Sequence, residues 1–189
     1  MSPPLPTMVT DRLALRAWGP DDAGTVLAIY SRPEVVRWSG GPGTELATRA
    51  DAIERLARWE TRMAGGAPRG IWAITDASDV GTPAAPVVGA VLLVDLPASS
   101  PDRSRPPSGD LEIGWHLHPD RWGSGYATEA ARAVLAHAWA HGVRRVLAVT
   151  HPDNAASQAV ARRIGMRHEG RTTAYYDTEA ELFAIEAPA

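Results

Sequence analysis

From residue 119 to residue 130 the chain reads Pro-Asp-Arg-Trp-Gly-Ser-Gly-Tyr-Ala-Thr-Glu-Ala, with Gly123 and Gly125 at alternate positions just ahead of a helical pattern. Glycines so spaced let the backbone approach a ligand closely, and the helix that follows presents unpaired N–H groups at its positive dipole end. Together they form an anion site suited to a pyrophosphate. The run lacks the Gly-Lys-Ser/Thr ending of a P-loop, and it lacks the third glycine and distant acid of a dinucleotide fingerprint. Immediately upstream, residues 111–117 alternate as a strand does, which puts Glu112, Gly114 and His116 on one face and Leu111, Ile113, Trp115 and Leu117 on the other. A carboxylate in a half-buried strand must find a partner or shift its pKa upward, so Glu112 is the first candidate for moving a proton, with His116 and His118 as alternatives. Taken alone, the glycines also suit an ordinary strand-to-helix turn, and Glu112 also suits a structural salt bridge.

The elements that must position these groups follow from periodicity. Residues 12–18 alternate and close on Gly19-Pro20, giving a first strand. Asp21 and Asp22 mark a helix start, and a second helical stretch covers 44–63, where Ile53, Leu56, Ala57 and Trp59 share a face. Strands at 71–75 and 87–95 flank a turn-rich connection at 76–86, and a proline-rich polar loop at 97–109, expected to be mobile, leads into strand 111–117. The second half alternates: helix 125–141 ending at Gly142, strand 144–150, helix 154–164 ending at Gly165, then strands at 166–173 and 179–186. No repeat or boundary divides residues 1–189, so one domain is expected, with 1–9 a flexible N-terminus.

Composition limits what that domain can do. At 189 residues it can bury one sizeable core. Nineteen basic residues, all arginine, face 22 acidic ones for a formal charge of −3, without the excess that draws a protein to nucleic acid. Cysteine is absent, which removes disulfides, thiolate metal sites and a cysteine nucleophile together. No apolar run approaches a membrane span and residues 1–6 do not read as a signal peptide, so a cytoplasmic protein without membrane contact is expected. The histidines show no paired ligand spacing, and no metal is expected.

The run LEIGWHLHPDRWGSGYATEA, followed by HPDNAASQAVARRIGM, resembles the GNAT acetyltransferase superfamily, and TDRLALRAWGPDDA with YSRPEVVRW extends the likeness to its RimJ/RimL-like branch over residues 10–186. The resemblance implies an α/β (α+β) GNAT fold, a mixed, mostly antiparallel sheet of six to seven strands flanked by helices. It also implies transfer of an acetyl group from acetyl-CoA to a primary amine, either a protein N-terminus or a small molecule, by a monomer or homodimer. The family's pyrophosphate loop falls on residues 122–127, with Trp122 in place of the polar first residue; Gly123, Ser124, Gly125, Tyr126 and Ala127 then line the pyrophosphate and the Thr128 hydroxyl lies close. By the same resemblance the pantetheine arm borrows backbone groups near Leu117, Asn154 bonds the arm, and Ser157 protonates the leaving thiolate.

Acyl transfer to an amine needs a neutral nitrogen near the thioester carbonyl and a donor facing the developing oxyanion. Glu112 is accordingly read as general base, with His116 or His118 as substitutes and Tyr175, Tyr176 and Asp177 around the acceptor. Trp38, near Gly40-Gly41, is placed along an acceptor channel and Arg37 against an acidic acceptor. A non-catalytic acyl-CoA-binding module is the competing reading, and a nucleotide-binding regulator the third.

Overall fold

The computed structural model describes residues 5–39, 43–63, 65–76 and 86–188. The centre of the expected connection at 76–86, the Gly40-Gly41 pair and the first four residues lie outside them. Among the described residues eight strands, one more than the upper figure expected, form one sheet: β1 (Met8–Val9), β2 (Leu13–Arg16), β3 (Gly70–Asp76), β4 (Val87–Pro97), β5 (Pro107–Leu117), β6 (Arg145–Thr150), β7 (Arg167–Thr172) and β8 (Ala180–Glu186). The additional strand, β1, is two residues long and pairs Met8 with Leu15 and Val9 with Ala14, too short to show an alternation in the sequence.

The spatial order is β1-β2-β3-β4-β5-β6-β8-β7. Neighbours run antiparallel throughout except β5 and β6, which are parallel and share one register pair, Glu112 with Leu147. Beyond that pair the two strands part.

Five helices cover the sheet: α1 (Ala23–Tyr30), α2 (Pro33–Val36), α3 (Arg49–Arg62), α4 (Tyr126–Ala140) and α5 (Ala155–Arg163). None among the described residues is long and apolar enough to cross a membrane. The α3 start is fixed by a reciprocal capping box between Thr48 and Asp51, and Gly142 and Gly165, both at positive φ, follow the ends of α4 and α5 as expected. The sequence reading missed α2, a single turn that buries Val35 and Val36 behind Pro33.

Because β4 lies mid-sheet, its side chains are buried on both faces. Val91 and Leu93 join Leu13, Leu15, Trp72, Ile113 and Phe183 in the core beneath α4 and α5. Leu92 and Val94 join Ile29, Tyr30, Trp59 and Ile71 beneath α1 to α3.

The β4–β5 hairpin extends further than composition suggested, with Pro97 paired opposite Pro107. Prolines are tolerated there because the ladder is ending and its donors are no longer needed. The remaining turn is tied down by Ala98 N–H to Pro106 O at 2.8 Å and Ser99 N–H to Ala174 O at 2.7 Å.

Candidate active site

Where β5 and β6 separate, the sheet opens into a cavity of about 550 Å³ walled by residues 112–116 of β5, 148–151 of β6 and its continuation, and the approach to β8. Glu112 stands at the point of separation, 8% exposed. Burial pushes its pKa up to about 7, against the opposing pull of a hydrogen bond from Tyr176, the charge of Arg62 and the Val149 N–H. The Tyr176 hydroxyl donates to Glu112 Oε2 in a short hydrogen bond.

His116, four residues on and on the same face, also borders the cavity. Its Nδ1 lies 2.8 Å from the Tyr30 hydroxyl, and the Arg55 guanidinium sits 4.0 Å above the Tyr30 ring. Desolvation, followed by the charges of Arg55 and Arg62, lowers the imidazole pKa to about 4. The ring is therefore neutral and weakly basic at pH 7, so Glu112 is the better matched proton acceptor of the two. His118 faces elsewhere, accepting from the Asp120 N–H at 3.3 Å to cap the turn Pro119–Arg121.

Tyr176 is held by its loop. Both it (φ 59) and Asp177 (φ 57) adopt the left-handed region that disfavours side chains, as do Arg103 and Arg105 in the β4–β5 turn. The two loops clasp each other: Arg105 bonds Asp177 Oδ2 at 2.7 Å and Tyr176 O at 2.9 Å, while Asp177 Oδ1 accepts from the Ser100 N–H at 2.8 Å. Tyr175 points away to Asp110 at 2.9 Å, where burial and that carboxylate push its pKa up to about 12.

At the open end of β5 the glycine turn has the geometry its sequence implied. Gly123 (φ 77) and Gly125 (φ 81) are left-handed; a Cβ at Gly123 would meet nothing within 4 Å, and one at Gly125 only the Arg12 side chain at 3.4 Å. Gly125 is also the N-cap of α4 and offers no side chain to bond its first turn, where Tyr126, Ala127 and the buried Thr128 follow. Arg12 braces this turn, bonding Ser124 O at 3.0 Å and pairing with Glu129 at 2.7 Å. The Trp122 side chain, 47% exposed, folds back so that its indole N–H donates to Leu117 O at 3.0 Å. That bond occupies one of the backbone groups near Leu117 expected to receive a ligand.

Asn154 caps α5 through the Ser157 N–H at 3.1 Å, and both residues border the cavity. Thr150, 8% exposed on the same wall, has a buried hydroxyl without a hydrogen-bond partner among the described residues. Such a group costs free energy unless something supplies a partner. The open glycine turn at an uncapped helix start suits an anion, and the cavity separately offers polar side chains, the Thr150 hydroxyl among them, as hydrogen-bonding partners. Among the described residues no group of three or more His, Asp or Glu could hold a metal ion.

Of the residues named from the sequence, the structure brings Glu112, His116, Asn154, Ser157, Tyr176, Arg37 and Trp38 together around the cavity, while the glycine turn stands apart from its lining. Sequence reasoning missed Arg62, Arg105, Tyr30 and Arg55. Only Arg55 carried a readable signal, falling on the α3 face four residues ahead of Trp59.

A family model described as an acetyltransferase (GNAT) domain matches residues 12–167. An uncharacterized N-acetyltransferase, YoaA, from Bacillus subtilis is 27% identical over 97% of this chain and 98% of its own. The crystal structure of an acetyltransferase from Agrobacterium tumefaciens superposes with a TM-score of 0.74 at 20% identity, covering 99% of this chain and 98% of that one. RimJ from Mycobacterium smegmatis in complex with CoA-disulfide gives a TM-score of 0.68 at 20% identity, over 93% of this chain and 82% of its own.

Proposed function

The chain belongs to the GNAT acetyltransferase family, and from that premise we propose that Glu112 is the general base of its acetyl transfer and the β5–β6 opening its reaction site. The protein is an acetyl-CoA-dependent N-acetyltransferase. The reading of the site is carried by one observation: a buried carboxylate with a pKa near 7, at the mouth of the gap between β5 and β6.

Each reaction requirement has a matching group. An acceptor amine arrives as an ammonium, and Glu112, ionised at and above about pH 7, takes its proton. Tyr176 is a positioning residue that holds the carboxylate. In the β4–β5 ladder His118 N–H bonds Val88 O, so by alternation the Trp115 and Leu117 amides turn toward the gap. Those amides are suited to stabilise the oxyanion formed when the amine attacks the thioester carbonyl. As the C–S bond breaks, the Ser157 hydroxyl passes a proton to the leaving thiolate and regains one, through solvent, from the nitrogen that becomes the amide, and Asn154 bonds the pantetheine arm. The diphosphate is held by the N–H groups of residues 123–128, in a turn that Arg12 braces through Ser124 O. A cytoplasmic setting suits this cosubstrate.

Thiol release from acetyl-CoA on adding a primary amine tests the reading. Release that depends on the amine and on Glu112 is expected. Binding of acetyl-CoA with no release for any amine would instead favour the non-catalytic acyl-CoA-binding module.

A further inference from the structure

The cavity beside Glu112 is more basic than the molecule around it. Four charged side chains other than Glu112 border it: Arg37, Arg62, Arg105 and Glu179. Arg105 is matched by Asp177, and Glu179 is matched by Arg171 at 3.0 Å. Arg37 and Arg62 form no ion pair with a carboxylate among the described residues. Arg62, in the last turn of α3, projects its charge onto Glu112, His116 and Tyr176. Arg37 lies 4.2 Å from the Trp38 ring, which in turn lies 5.3 Å from the His151 ring at a tilt of 50°, so one wall is an aromatic pair with a guanidinium over the indole.

With Glu112 as the one carboxylate set against them in the cavity among the described residues, the two guanidinium groups oppose the entry of a bare ammonium, and more strongly the entry of a polyamine, because a cavity screens charge less than bulk solvent. The sign reverses for an amine that carries an oxyanion a few bonds from its nitrogen. The guanidinium fork matches carboxylate and phosphate oxygens in pairs, and a cation beside the amine favours the neutral form that the reaction consumes. We infer that the acceptor is such an anionic amine, its carboxylate or phosphate held by Arg62 and Arg37 while its nitrogen faces Glu112. This rests on the reading of the cavity as the acetyl-transfer site.

The test compares matched acceptors by thiol release: glycine against glycinamide, O-phosphoethanolamine against ethanolamine, and a dipeptide amide beginning with aspartate against its asparagine counterpart, with spermidine as the polycation. In at least one pair the anionic member should exceed the neutral one by about tenfold or more in kcat/KM. Arg62→Gln and Arg37→Gln should abolish that ratio while the acetyl-CoA dissociation constant, read by calorimetry, stays within about twofold. Which pair shows the ratio separates a carboxylate from a phosphate source. Where no acceptor turns over, calorimetry of the CoA-saturated protein with O-phosphoethanolamine and with aspartate reads the same site, and heat lost in Arg62→Gln supports the inference. No heat with either anion, a preference for neutral amines or spermidine, or a ratio intact in both variants overturns it. In those cases acetyl-CoA binding and amine-dependent release would leave the acetyltransferase reading standing.

Discussion

The Tyr176 hydroxyl donates to the Glu112 carboxylate although 64 residues separate them in the chain, and it reaches there from a loop whose own backbone is left-handed. Glu112 belongs to a strand shared by two sheet neighbours, whereas Tyr176 belongs to a turn held by Arg105 and Asp177. The state of the carboxylate therefore depends on a loop–loop contact, and the two residues can be separated by substitution.

Wild type should show a rise of kcat/KM with pH through about pH 7, and Glu112→Gln should remove that rise and lower the plateau by about 100-fold. Acetyl-CoA affinity should be unchanged. A pH–rate series with parallel calorimetry checks both, and a wild-type profile in the variant would remove Glu112 from the mechanism.

Tyr176→Phe removes a hydrogen bond that favours the ionised carboxylate, so the midpoint of that rise should move to higher pH. Asp177→Ala, which frees the loop without touching the carboxylate, should move it the same way by less. Identical midpoints in all three proteins would show that the clasp does not position Tyr176.

Stability should carry the same signature with opposite signs at the two groups. The Glu112 pKa is raised on folding, so its contribution is fully present below about pH 4.5 and lost as pH rises to about 7, an effect on the order of 3 kcal/mol. The His116 pKa is lowered, so its contribution is present above about pH 6.5 and lost as pH falls toward 4. The two largely offset across that window. Glu112→Gln should expose the histidine alone, with denaturant unfolding showing a steeper loss of stability from pH 6.5 to 4 than in wild type.

Gly125→Val forces a β-branched side chain into φ 81 at the start of α4. The strained backbone costs about 1–2 kcal/mol, which a domain of this size tolerates, but the amides would no longer converge. Acetyl-CoA binding should weaken by about tenfold or more with the circular dichroism spectrum retained. Unchanged affinity would refute the loop assignment.

Strands and helices of the second half were legible because each keeps one period and both helices stop at a glycine, Gly142 and Gly165, and the face of β5 bearing Glu112 followed from alternation alone. Composition misjudged the β4–β5 turn, since prolines read as loop also serve where a ladder ends. It could not reveal the clasp, because Arg105 and Asp177 meet only through tertiary packing. Arg62 was hidden for the same reason: a cation in the last turn of a helix reads as a partner for the helix dipole until the fold sets it beside a carboxylate.

The single register pair between β5 and β6 makes the middle of the sheet a seam, with amides of Trp115 and Leu117 turned toward it. A thioester arm lying there closes the seam as a further strand would. The backbone protons of these two residues should then exchange with deuterium readily in the free protein and slowly once the arm is in place, so that loading the cosubstrate also stitches the two halves of the sheet into one unit.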